Sequence, residues 1–301
     1  MIKILGLGDN VCDVYLHTGT MYPGGQALNV AVYARMLGAE SDFLGVSGTD
    51  AVAAHVLATL DRKGIGHSHN RITDGENGFA CVALVDGDRI FKGSNKGGVL
   101  QKTPIVLDEG DLAYINEFDA VHTTNNGFID AQLPKLAPCR PLISYDFSYR
   151  WNEPDRLNRV CPFIDFGFLS CGDLDDEAAF NLCRTLYEKG CGTVVATRGS
   201  LGAFVYDGTA IFRQKPHLVK ALDTMGAGDS FAACTLVRVA QALKKDGRES
   251  WQGAGYRAGV LTKALADAAV FAAKTCLVNG AFGCGTPVPG SLQPAIDRVL
   301  R

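Results

Sequence analysis

The sequence predicts an α/β protein in which a central, mostly parallel sheet carries helices on its faces and a small β insertion. Three observations predict it. Short apolar runs alternate with helix-period segments, the rhythm of βαβ units. That rhythm breaks once, near residues 78–92, for two β-rich runs joined by a turn, a hairpin signal. And 301 residues, 47% hydrophobic and 20% charged, can bury a large core without disulfide staples. No fixed-period repeat or low-complexity linker divides the chain, so one domain over 1–301 is expected.

The elements follow in order. Residues 2–7 form an apolar run closed by Gly8-Asp9 and read as a buried first strand. Residues 13–16 read as a second, short strand. Gly24-Gly25 opens a helix over about 27–37, with Val30, Tyr33, Ala34 and Leu37 on one face and Gly38 as its stop,. A strand over 42–46 precedes a helix over 51–62, capped by Thr49 or Asp50 and ended near Gly64,. Residues 78–85 and 89–92 then flank the turn Asp86-Gly87-Asp88. Strands are expected near 120–123, 142–145, 166–170 and 193–197, with a helix over 176–189 before the last. Residues 203–206 and 210–213 flank Asp207-Gly208 as a second hairpin. Two apolar helices, 228–243 and 256–277, are joined by the polar stretch 244–255. The Gly- and Pro-rich segment 280–290 leads to a short last helix.

Charge and cysteine usage narrow the function. Lys and Arg number 29 against 32 Asp and Glu, a net charge of -3, which disfavours a broad basic nucleic-acid face. The best membrane candidate, 264–278, is interrupted by Asp267 and Lys274, so no span is expected. The first apolar run stops at Asp9, too soon for a secretory core. The ten cysteines form no Cys-x-x-Cys pair, which suits reduced thiols in the cytoplasm. The 35 glycines, about 12% against a usual ~7%,, suggest tight turns or close backbone approach to a ligand.

Two motifs carry chemistry. In Asp223-Thr224-Met225-Gly226-Ala227-Gly228-Asp229 the glycines stand just before an apolar helix. Backbone N–H groups there can converge on an anion, helped by the helix dipole. Asp229 beside them is placed to accept a proton from a hydroxyl attacking a phosphoryl group; the plainer reading is a helix cap. In Pro23-Gly24-Gly25-Gln26-Ala27-Leu28-Asn29 two glycines let a polyol approach the backbone. Asn29 can bond its hydroxyls, or can simply be solvated. Other phosphate motifs fail: Gln26 stands where a Walker lysine is needed, and Val11 replaces the third glycine of a dinucleotide fingerprint,.

Together these features resemble the ribokinase-like (PfkB) carbohydrate kinases. The likeness lies in an Asp after the first strand, Gly-Gly before the first helix, an early β insertion, and Asp-Thr-x-Gly-Ala-Gly-Asp in the last third. It implies a three-layer sandwich with a small β lid from about 12–24 and 77–98. It implies Asp229 as base with Gly226, Ala227 and Gly228 as anion hole, and Asp13, Gly24, Gly25 and Asn29 at the sugar. Thr197, Gly199 and Gly202 would lie along ATP, with Asp223 and Thr224 beside it. It also implies Mg²⁺, and a monovalent cation such as K⁺ near Asp223. The family's Asn-x-x-Glu is here Ser170-Cys171-Gly172-Asp173, which leaves Asp173 as the metal candidate.

Within that family the chain resembles the fructoselysine 6-kinase branch, through Gly8-Asp9-Asn10-Val11-Cys12-Asp13, the Gly24–Tyr33 run, Asp146-Phe147-Ser148 with Trp151, and Ala272-Ala273-Lys274-Thr275. The implied reaction is transfer of the γ-phosphoryl group of ATP to a primary hydroxyl of a ketose-type acceptor, fructoselysine first. Fructose, ribose, a nucleoside or a sugar phosphate remain alternative acceptors, with Arg89, Lys92 and Lys96 as cations for the last. A non-catalytic sugar sensor is the rival from another class. Exposed lid hairpins often pair, so a homodimer is expected.

Overall fold

The computed structural model describes residues 1–85 and 88–301, with the side chains of all of these except 84, 85, 88 and 89. The expected turn residues Asp86 and Gly87, and the side chain of Arg89, therefore lie outside the described part.

The chain begins with β1 (Lys3–Gly8), β2 (Val11–Tyr15) and β3 (Thr20–Gly24), then α1 (Gln26–Met36), β4 (Glu40–Ser47), α2 (Ala51–Lys63) and the two-residue β5 (Arg71–Ile72). The β-rich insertion is β6 (Gly78–Val85) and β7 (Asp88–Ser94). Next come α3 (Val99–Lys102), α4 (Glu109–Ile115), β8 (Ala120–Thr124), α5 (Leu133–Leu136), β9 (Leu142–Ser148), α6 (Pro154–Val160), β10 (Phe166–Ser170), α7 (Asp176–Glu188) and β11 (Thr193–Thr197). The last third holds β12 (Ala203–Tyr206), β13 (Ile211–Gln214), the long helices α8 (Ala227–Asp246) and α9 (Ala254–Thr275), β14 (Thr286–Pro287) and α10 (Gln293–Leu300).

Nine strands form the central sheet in the order β13-β12-β11-β10-β9-β8-β1-β4-β5. All its pairs are parallel from β11 to β5, and at the other edge β12 runs the opposite way, pairing antiparallel with both β11 and β13. Strands buried on both faces read as apolar runs rather than alternating ones, and β1 shows why. Ile4 joins a core with α1, α2, α8 and α9, whereas Leu5 and Leu7 join one with α3 to α7. Gly6 lets α1 lie directly on β1, since a Cβ there would fall 2.2 Å from the Ala27 carbonyl oxygen. The result is the expected α/β three-layer arrangement.

A second sheet, in the order β14-β3-β2-β6-β7, holds both expected insertion segments. Its inner residues Cys12, Val14, Met21, Phe79 and Cys81 join the α1–α8 core. Two of its strands escape the sequence reading for the same reason. β3 contains Pro23 and β14 contains Pro287, and proline removes a ladder donor and argues against a strand. The seven-residue helices α4 and α6 also escape it. Each is too short for a 3.6-residue period to stand out, although Asp108 and Asp111 form a reciprocal cap at the start of α4.

Candidate active site

The ends of β1, β8 and β9 and the starts of α1 and α8 meet at one place. The start of α1 has no capping side chain of its own, because its cap position is Gly25. Asp9, just past β1, does that work: its carboxylate accepts from Gln26 N at 2.8 Å, Ala27 N at 3.1 Å and Thr124 Oγ1 at 2.9 Å. Gly25 sits at φ +108°, and a Cβ on it would fall 2.7 Å from the Asp9 carbonyl oxygen. Glycine is therefore required where the two chain segments cross.

At the start of α8 the cap is Gly226, at φ +73°. A Cβ there would lie 2.5 Å from Tyr33 Oη and 2.8 Å from Ala281 Cβ, and Tyr33 in turn donates to the Ala281 carbonyl. Asp229 follows in the first turn, only 8% exposed. Asn29, one turn into α1, donates from Nδ2 to Asp229 Oδ2 at 2.6 Å. Asp229 is the acidic residue of the first turn of α8, and its carboxylate bonds across to Asn29 of α1.

Asp13, at the middle of β2, completes the group. A Cβ on Gly24 would lie 3.0 Å from Asp13 Oδ2 and 3.7 Å from Asn29 Oδ1. Asp13, Gly24, Asn29 and Asp229 are therefore contiguous although they are up to 216 positions apart in sequence. Asn29 is 4% exposed, and its Oδ1 has no partner among the described residues. A buried acceptor left alone costs about 1–3 kcal/mol, a cost that a hydroxyl placed there removes.

Carboxylates missed by the sequence reading as a group surround this set. Burial pushes the Asp229 carboxyl well above the usual range, and the nearby charges of Asp146, Asp9 and Asp13 push it further, against the Asn29 bond. Burial likewise raises Asp146, to about 7, helped by Asp9, and raises Asp9. A carboxyl with a raised pKa is a better proton acceptor at neutral pH. Asp9 and Asp146 each end an apolar strand of a parallel sheet, where ligands usually bind, so a signal for them existed.

On the other side of Gly226–Asp229 lies a cavity of about 280 Å³. Thr197, Gly199, Gly202, Thr224, Ala227 and Gly228 line it, as do Lys215 and His217. Phe231 of α8 and Ala269, Ala272 and Ala273 of α9 also line it. A Cβ on Gly228 would meet nothing within 4 Å, so the protein itself does not demand glycine there. Its open side faces the cavity. Asp223 is buried behind this turn, where it accepts from Tyr15 Oη at 2.5 Å, Gly280 N at 2.8 Å and Met225 N at 2.9 Å. Asp173 is exposed in the loop after β10 and is not among the cavity's lining residues. Among the described residues no three His, Cys, Asp or Glu side chains gather as a metal site. All ten cysteines are free thiols, and no described helix is long and apolar enough to cross a membrane.

The model of the pfkB family carbohydrate kinases matches residues 3–138 and 168–286. The chain belongs to that family. As a pfkB kinase it is an ATP-dependent enzyme that phosphorylates a sugar. It is 40% identical to the fructosamine kinase FrlD of Bacillus subtilis over 95% of both chains. It is 32% identical to the fructoselysine 6-kinase of Escherichia coli, over 94% of this chain and all of that one. Among solved structures its fold resembles ribokinase from Giardia lamblia, with a TM-score of 0.76 at 16% identity over 99% of both chains. It also resembles an ATP-bound fructokinase from Xylella fastidiosa, with a TM-score of 0.74 at 19% identity over 98% of both.

Proposed function

We propose that this pfkB kinase transfers the γ-phosphoryl group of ATP to the primary 6-hydroxyl of a fructosamine, with fructoselysine as the leading acceptor. The observation that carries the reading is the joining of Asp13, Gly24, Asn29 and Asp229 into one buried set, in a chain 40% identical to a fructosamine kinase. Asp13 and Asn29 hold acceptor hydroxyls at the Gly24-Gly25 backbone. Asp229 accepts the proton of the attacking hydroxyl. The backbone N–H groups of Gly226, Ala227 and Gly228 stabilise charge on the transferring phosphoryl group, where most of such catalysis lies. The nucleotide base lies between α8 and α9, and Thr197, Gly199, Gly202 and Thr224 run along the phosphates.

Mg²⁺ fits a site of this kind, because it keeps several waters and takes one or two carboxylates plus substrate phosphates rather than a protein cage. It would neutralise charge on the phosphates, with Asp173 as the carboxylate on offer. A monovalent cation such as K⁺ belongs to the segment around Asp223, which is itself held by three protein donors and so fixes the loop whose carbonyl oxygens would bind the ion. The second sheet acts as a lid that excludes water during transfer, and pairs with a second copy in a homodimer. The enzyme works in the cytoplasm, with neither nucleic acid nor membrane as partner.

The test is an ATP-consumption screen over fructosamines, fructose, ribose, nucleosides and sugar phosphates. Turnover is expected to be highest with fructosamines. Turnover confined to nucleosides or sugar phosphates would overturn the acceptor assignment while leaving the kinase family untouched.

A further inference from the structure

The acceptor half holds more negative charge than the transfer of one phosphoryl group needs. One carboxylate suffices as base, yet Asp9, Asp146 and Asp229 are each at most 8% exposed. Among the described residues none of the three forms an ion pair with a lysine, arginine or histidine. Asp9 caps α1, and Asp229 is held by Asn29. Asp146 is bonded within its own strand end. It ends β9, where Ser148 N donates to its Oδ1 at 2.6 Å. Ser148 adopts φ +52° to do so, a conformation that a non-glycine residue holds at a cost. Across the β8–β9 pair Asp146 sits beside Thr124, whose hydroxyl donates to Asp9.

Helix α1 locates Asp146 relative to the base. Asp146 stands beside Thr124 in the β8–β9 pair, and Thr124 donates to the Asp9 carboxylate that caps the start of α1. Asn29, one turn further along α1, holds Asp229, so the two carboxylates lie at the same end of that helix. Two buried amide oxygens in the residues about them lack partners among the described residues. Asn29 Oδ1 is buried, without a partner among the described residues, and lies 3.7 Å from where a Cβ on Gly24 would stand. Asn125 Oδ1 is also buried and unpartnered, and Asn125 N donates to the Asp146 carbonyl at 2.9 Å. A site so rich in acceptors and negative charge calls for a ligand that brings donors and a positive charge.

We infer that Asp146 is the counter-ion for a protonated amine on the acceptor, so that the site selects a cationic aminoketose over a neutral ketose of the same shape. Asp146 is thus a specificity-determining residue and takes no proton in the transfer. This inference rests on the fructosamine reading above and deepens it. A neutral sugar leaves Asp146 buried beside Asp9 and Asp229 with nothing to offset the repulsion. A secondary ammonium supplies the positive charge and two N–H donors, and hydrogen bonds between charged groups are about twice as strong as neutral ones.

The experiment compares fructoselysine with a neutral fructose ether that replaces the amine nitrogen by oxygen, in the wild type and in Asp146→Asn. Wild-type kcat/KM is expected to favour the amine by about 100-fold. Asp146→Asn is expected to lose about 10–100-fold with the amine and less than 3-fold with the ether. Asp146→Glu, which restores the charge, is expected to recover part of the amine activity. A wild-type preference below 3-fold overturns the inference even if the variants do not fold. An equal loss on both acceptors also overturns it, because Asp146 would then only position the site. Failure of the underlying reading looks different, since the wild type would then turn over neither acceptor.

Discussion

The two sides of the 226–229 turn are built from opposite materials. The side proposed to take the acceptor is buried, charged and held by defined bonds: Asp9 across the start of α1, Asn29 onto Asp229, Ser148 onto Asp146. The side proposed to take the nucleotide is a cavity walled by residues from 197–202 and 214–221, the start of α8 and three alanines of α9. One half can discriminate, because a ligand that leaves its buried polar groups unpaired is rejected strongly. The other can hold a flat base and several phosphates through shape and backbone N–H groups. The turn 226–229 belongs to both, and its two glycines divide the same way. Gly226 is glycine because Tyr33 and Ala281 leave no room for a side chain. Gly228 is glycine for no reason internal to the protein.

That contrast can be broken. Gly226→Ala forces a positive φ on a residue with a Cβ and drives it into Tyr33. It is expected to cost about 2–4 kcal/mol, seen as a Tm lower by about 3–6 °C together with loss of activity. A stable, active variant would show that the turn can be rebuilt. Gly228→Ala is expected to do the reverse. Stability holds or rises by up to ~1 kcal/mol, since alanine is the better helix former, while kcat/KM for ATP falls about 10–100-fold. An unchanged kcat/KM would mean that no ligand approaches there. Ala273→Leu, on the α9 wall of the cavity, is expected to raise KM for ATP about 5–10-fold and to leave KM for the acceptor unchanged, because the added bulk competes with the base. A matching rise in acceptor KM would merge the two halves.

The smallest effect concerns charge in the acceptor half. Asp146 titrates near 7 in the folded protein against 3.8 ordinarily, so the native state keeps a proton that the unfolded chain has lost. Stability should therefore fall as pH rises from about 4 to about 7 and stay lower above that. Asp146→Asn removes this loss. Its Tm is expected to match the wild type near pH 4 and to exceed it by about 2–5 °C at pH 8. Equal Tm values at both pH values would mean that burial of Asp146 carries no such penalty.

Most of the central sheet was legible in the sequence, because strands covered on both faces are apolar runs and each ends in a visible break. The 166–170, 193–197 and 203–206 strands coincide with β10, β11 and β12. The second sheet was only half legible, since proline stands inside both of the strands that were missed. The 226–229 turn and Gly24-Gly25 were legible as short motifs with a mechanical meaning. Asp146 was visible only as part of a family likeness. Its place near Asp229 depends on β9 lying beside β8 and on Thr124 of β8 bonding Asp9 at the start of α1, and no local pattern encodes a contact between residues that far apart.

The central claim is that Asp229 is the proton acceptor at the boundary between the two halves. Asp229→Asn keeps the shape and can still bond Asn29, but cannot accept the proton. Measured with saturating fructoselysine, kcat is expected to fall about 10²–10⁴-fold, while the dissociation constant for ATP, read by calorimetry on the same preparation, stays within about 3-fold. Turnover near that of the wild type, or loss of ATP binding in step with turnover, would contradict the account.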